Sequence, residues 1–237
     1  MSKFTKILDF KLPELPYRYV GGGQDYSKES DRITNVNVLK NIKSNYGSFI
    51  KKWASAFELG DPVLTTFIAI ESTGKMVGKN EAGAIGLTQV TLVAVRESVS
   101  KFKIVTGENL PAEAVSLIKQ KAPYLLELTP NKQDVSRENS IKLESLLKED
   151  ANFNIMMGAL CLRWNLDWTG AKDLVYLQKA IIAYNQSPYA RIRAYKDKFA
   201  STNTLFKDKL IPKETRDYLV KSLGKNGFLE LYVINDL

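Results

Sequence analysis

Glu71 closes a stretch that reads as a helix, and it is the residue best placed to do chemistry. Leu64, Phe67, Ile68 and Glu71 recur at i, i+3, i+4 and i+7, so a carboxyl ends an otherwise apolar stripe. A carboxylate on a buried face is expensive to ionise, and the last turn of a helix adds an unfavourable negative potential. Both effects raise the pKa, which is what a general acid working at neutral pH requires. The plainer alternative is a half-exposed glutamate at a helix end, because this residue type is seldom buried. Gly83, Gly86 and Gln89 follow Glu71 by twelve, fifteen and eighteen residues. Glycines let backbone pass close to a ligand, and a glutamine amide offers a donor and an acceptor together.

The elements that would hold these residues can be read from punctuation and period. Asp61 suits an N-cap, Pro62 the first helical position and Gly74 the residue just past the end. Upstream, Leu39, Ile42, Tyr46, Phe49, Trp53 and Phe57 predict a long amphipathic helix over 35–58. After Gln89, the residues Leu92, Val95, Val99 and Phe102 predict another, to about 102. Residues 103–149 contain Pro111, a helical pattern to Ala122, Pro123, Pro130 and a second pattern near 137–149. They read as an inserted helical hairpin expected to flank or cover a groove. Helices follow over about 151–166, with Gly158 admitting a close neighbour, and about 171–186. In the latter, Leu174, Leu177, Gln178 and Ile181 form an inner side that Tyr184 and Asn185 continue, and Ser187-Pro188 ends it. A last helix over Pro212–Val220 ends at Gly224.

The fold expected is therefore mainly α, with one domain over 33–224. Residues 1–32 read as an apolar arm whose Gly21-Gly22-Gly23 is a connector, since no Gly-Lys-Ser/Thr pattern makes it a phosphate loop. Residues 225–237 form an apolar tail that either packs back on the core or docks on a partner.

Composition narrows the chemistry. The chain has 237 residues, no histidine and a single cysteine, Cys161. Imidazole-activated nucleophiles and an intramolecular disulfide are thereby excluded, and a protein zinc site is disfavoured; no cofactor is expected. Cys161 reads as a small buried hydrophobe. A net charge of +8 suits an anionic partner, but the basic residues are scattered and no nucleic-acid motif accompanies them. No run approaches the ~18 apolar residues a membrane span needs. Lys3, Lys6 and Asp9 interrupt the start too early for an export segment.

Four blocks taken together resemble the catalytic domain of the soluble lytic transglycosylases, a branch of the lysozyme superfamily. Glu71-Ser72 matches the first family motif, and Gly83-Ala84-Ile85-Gly86-Leu87-Thr88-Gln89 the second, with Thr88 replacing the usual Met. Asn154, Ile155 and Gly158 match the third, as structural residues, and Ala183-Tyr184-Asn185 the start of the fourth, where Gln186-Ser187 replaces Ala-Gly. A closing helix with Glu214-Thr215-Arg216 and Tyr218 also fits, so the resemblance spans roughly residues 45–223. It implies a lysozyme-like helical domain cleaving the β-1,4 bond between N-acetylmuramic acid and N-acetylglucosamine in peptidoglycan. It also implies that Glu71 is the catalytic acid and base, that Ser72, Gln89 and Gly86 line the groove, and that Tyr184 and Asn185 orient the acid or the sugar's N-acetyl group.

The stretch from Glu71 to Val90 also resembles goose-type lysozymes, notably in Gly74-Lys75 and Lys79-Asn80. Those enzymes position water with aspartates, one of them just after the Gln-Val pair. Thr91 stands at that place here, leaving Glu81 as the remaining candidate. A third alternative is a non-catalytic glycan-binding or structural component of a larger assembly. A wall-cleaving chain without an export segment is expected in a bacteriophage virion or in the host envelope during infection. Its partners would be peptidoglycan glycan strands, and other virion proteins through the arm or the tail.

Overall fold

The computed structural model describes residues 28–168, 174–186 and 213–237. The arm up to residue 27, the Gly21–Gly23 run and the Ser187-Pro188 helix stop lie outside the described residues. The architecture is mainly α, with a single two-stranded hairpin among the described residues. Helix α1 runs Glu29–Ala56, so the helix begins inside the stretch expected to be arm. Helix α2 is Asp61–Ser72. Asp61 is its first residue and not its cap, because Gly60 at φ 79° makes the turn that enters the helix. Strands β1 (Ala84–Ile85) and β2 (Val90–Thr91) pair antiparallel, Ala84 opposite Thr91 and Ile85 opposite Val90.

Helix α3 is Leu92–Thr106, capped by the Thr91 hydroxyl, which accepts from the Ala94 N–H at 3.1 Å. The insertion forms α4 (Ala112–Lys121), a 3-10 turn (Pro123–Glu127) and α5 (Arg137–Glu149). Helix α6 is Ala151–Trp168, α7 is Leu174–Gln186, α8 is Lys213–Leu223 and α9 is Phe228–Ile234.

At the centre lies α6, buried almost along its whole length, with Phe153, Ile155, Met156, Met157, Ala159, Leu160 and Leu162 out of water. Helices α1, α3, α5 and α7 pack around it. An all-round apolar helix of this kind is what a core position selects. Helix α2, carrying the acid, lies against α1, α8 and α9. The C-terminal stretch expected to pack or dock therefore packs: Phe228, Leu229, Leu231 and Tyr232 of α9 are buried against α1, α2 and α8.

The insertion packs on α3, α6 and β1. It supports the hairpin from outside, α5 against α6 and β1, and its 3-10 turn against α3. Glu144 of α5 holds Lys79 at 2.8 Å, tying the insertion to the loop that leads from α2 into β1. Its apolar residues face α3 and α6, so it buttresses the segment after the acid.

Candidate functional site

Glu71 sits where its spacing put it, in the last turn of α2, with Thr73 at φ 53° and Gly74 at φ 78° turning the chain away. Gly74 is required here, because a Cβ on it would come within 2.6 Å of the Ile42 side chain. Glu71 retains some accessible surface, yet its carboxyl is desolvated enough to lift the pKa from 4.5 to about 7. Burial is the dominant cause. A hydrogen bond donated by the Tyr218 hydroxyl to Oε1 acts the other way, by favouring the ionised form.

Tyr218 comes from α8, and sequence reasoning does not single it out as the acid's partner. The available signal was its spacing from Thr215, three residues along one helical face. Tyr184 makes a different contact: its hydroxyl donates to the Thr88 carbonyl at 2.8 Å. Its relation to the acid runs through the Phe67 ring, which packs edge-on against Tyr184 at 5.2 Å and against Tyr218 at 6.5 Å. Burial holds both phenols protonated, their pKa values raised well above 10.

The hairpin after Glu71 is a knot of satisfied polar groups. Asn154, fully buried on α6, accepts from the Thr88 N–H at 3.0 Å and the Thr88 hydroxyl at 2.9 Å. Its Nδ2 donates to the carbonyls of Ile85 at 3.0 Å and Leu147 at 2.9 Å. Every polar atom of the amide is used. Gly158, on the same helix, lets Thr88 approach: a Cβ there would lie 2.4 Å from the Thr88 side chain. Asn154 and Gly158 thus have the structural roles expected of them, while Thr88 is the residue they grip.

Two of the residues expected to line the groove have packing and capping contacts of their own. Gly86, at φ 79°, presses on Asn154, where a Cβ would come within 2.0 Å of Nδ2, so packing alone requires glycine there. Ser72 finishes α2: its hydroxyl donates to the Ile68 carbonyl at 3.1 Å and accepts from the Gly74 N–H at 3.2 Å. Gln89 does both jobs. Its Nε2 donates to the Gly86 carbonyl at 2.8 Å, its Oε1 accepts from Asn80 at 3.1 Å, and it still borders a cavity.

That cavity, about 360 Å³, lies between the start of α3, the C-terminal half of α6 and the end of α7. Gln89, Thr91, Tyr184 and Asn185 line it together with Glu97 and Trp164. Of the sequence-predicted residues it therefore gathers Gln89, Tyr184 and Asn185, whereas Glu71 is not among those lining it; Phe67, one turn earlier on α2, packs on the Tyr184 ring. Cys161 also reaches the cavity wall, but burial pushes its thiol up to about 12, so it behaves as a hydrophobe. The Thr91 hydroxyl caps α3, and Glu81 is exposed on the turn before β1.

Among the described residues no group of three or more Cys, Asp or Glu is arranged to hold a metal ion, and no helix is long and apolar enough to cross a membrane. Comparisons with family models, with curated proteins and with solved structures gave no match.

Proposed function

We propose that this chain is a peptidoglycan lytic transglycosylase, with Glu71 acting first as acid and then as base. The observation that carries the reading is a carboxyl desolvated to a pKa of about 7 and touched by a phenol donor. At neutral pH such a group is populated in both forms, so it can give a proton and take one back.

In the first half, Glu71 protonates the glycosidic oxygen as the bond to the muramic C1 breaks, and the sugar's acetamido carbonyl stabilises the cationic carbon. In the second, the Glu71 carboxylate takes the proton of the C6 hydroxyl while O6 bonds to C1. The 1,6-anhydro product leaves with the acid restored. The route needs one carboxyl, where most glycosidases need two. Thr91 as a helix cap favours it over hydrolysis, because no carboxylate stands there to activate water.

Purified peptidoglycan digested with the full chain is expected to yield anhydro-ended muropeptides by mass spectrometry. Reducing ends would make the enzyme a hydrolase, and an intact polymer would overturn the enzymatic reading.

A further inference from the structure

A second cavity, about 460 Å³, opens between the middle of α1, the end of α4 and the junction of α5 with α6. It shares no lining residue with the cavity beside Gln89, and Glu71 does not border it. Its apolar wall is Phe49, Leu146 and Ala151, each only partly buried. Asn152, in the first turn of α6, supplies a polar group whose direction is fixed from behind. The fully buried Trp53 donates its indole N–H to Asn152 Oδ1 at 2.7 Å. An indole nitrogen can only donate, so the amide oxygen must face it and Nδ2 is turned to the other side of the planar group. No acceptor among the described residues meets Nδ2, so its N–H groups are left for what enters the cavity.

The charged groups of the lining divide into a spent pair and a free carboxylate. Asp150 binds Lys121 through Oδ2 at 2.7 Å, and its Oδ1 accepts from the Phe153 N–H at 2.9 Å. Glu149 is exposed and has no such partner among the described residues.

We propose that this cavity is a second carbohydrate site, which seats an uncharged pyranose of a glycan strand apart from Glu71. A pyranose has an apolar C–H face and a rim of hydroxyls that both donate and accept. The apolar face suits Phe49 and Leu146, a hydroxyl oxygen accepts from Asn152 Nδ2, and a hydroxyl donates to Glu149. An anionic ligand is disfavoured, because the one unanswered charge in the lining is negative. Two sites on one chain lengthen the stay of a polymer without any new contact at the acid. The proposal extends the glycan reading above, but it does not need Glu71 to turn anything over.

The test uses the full chain labelled with nitrogen-15 and carrying Glu71→Gln, titrated with chitotetraose. The Trp53 indole N–H signal is expected to move and to saturate. Asn152→Asp keeps an oxygen for the indole and replaces the outward donor by an acceptor; Glu149→Ala removes the carboxylate from an exposed position. Each is expected to raise the midpoint read at Trp53 about tenfold, the value of one hydrogen bond. Tetragalacturonate, an anionic oligomer of the same length, is expected to leave the signal still. A Trp53 signal that ignores chitotetraose, or a midpoint unchanged in both variants, overturns the site. Equal movement with tetragalacturonate overturns the preference for uncharged sugar. The Gln89 side-chain amide, read in the same spectra, keeps the two proposals apart. If it stays still while Trp53 moves, the second site stands and the glycan cleft beside Glu71 is what fails.

Discussion

Two ionisable side chains with little access to water are treated in opposite ways. Arg163, 2% exposed on α6, meets Asp167 at 2.5 Å, Glu108 at 2.9 Å and Glu58 at 3.2 Å, and donates to the Phe57 carbonyl at 3.1 Å. Glu71 meets no lysine or arginine among the described residues, only the Tyr218 hydroxyl. Opposite charge at contact distance favours the ionised form, whereas desolvation without it favours the neutral one. Arg163 thereby joins the end of α1, the loop after α3 and α6. Glu71 is left near its midpoint at neutral pH. A charge fully answered builds structure; one left half-answered keeps the freedom to exchange a proton.

The largest effect expected from breaking this contrast is on turnover. Glu71→Gln removes the only proton carrier of the proposed cycle and is expected to lower the rate of anhydro-muropeptide release at least ~100-fold, with the circular dichroism spectrum unchanged. Arg163→Ala should do the reverse. It takes the cation away from the buried Asp167 carboxylate and is expected to cost about 3–5 kcal/mol of stability in urea melts. Turnover per folded molecule should stay near the parent value. If Arg163→Ala abolishes cleavage in conditions where it remains folded, the division between a structural and a chemical charge is wrong.

The same contrast explains what could be read in the sequence. The acid helix was legible because Leu64, Phe67, Ile68 and Glu71 obey one period and Gly74 stops it, all within fifteen residues. Both helices of the insertion were legible for the same local reason. Their placement was not, since it depends on Glu144 finding Lys79 and on α5 finding α6 and β1. Asn154 could be expected to be structural, but nothing local says that its amide is spent on Thr88, Ile85 and Leu147.

The two tyrosines make the limit plain. Tyr184 continues an apolar face and was expected to orient the acid or the sugar's N-acetyl group; its hydroxyl donates to the Thr88 carbonyl of the hairpin. Tyr218 reaches the acid across 147 residues of chain. Periodicity gives the face a residue occupies; only packing gives what that face meets.

A smaller effect sharpens the comparison through stability. The Glu71 pKa is about 7 in the folded protein against about 4.5 for an unperturbed glutamate, so the folded state holds the proton more tightly. Stability relative to a non-ionising residue is therefore intact below pH 4.5, declines as pH rises through 4.5 to 7, and stays reduced above. The penalty at alkaline pH is about 3 kcal/mol, because a tenfold difference in proton affinity between the folded and unfolded chain is worth about 1.4 kcal/mol. Glu71→Gln is expected to gain little at pH 4.5 and up to that amount at pH 8. A gain that does not vary with pH would mean that the carboxyl is not desolvated.

The smallest effect expected comes from Tyr218→Phe, and its sign is the informative part. The phenol donates to a carboxylate better than to a carboxylic acid, so it pulls the Glu71 pKa down against the stronger effect of burial. Removing the hydroxyl leaves burial unopposed, and the alkaline limb of the cleavage profile is expected to move to higher pH, by no more than about 1 on the pH scale. Turnover at pH 7 should change less than about tenfold, because the proton carrier remains and the lost bond is worth about 1–1.4 kcal/mol. Movement of that limb to lower pH would mean that Tyr218 stabilises the protonated acid instead. Glu71 would then be held as a donor alone, and the return of the proton in the second half would have to be assigned to another group.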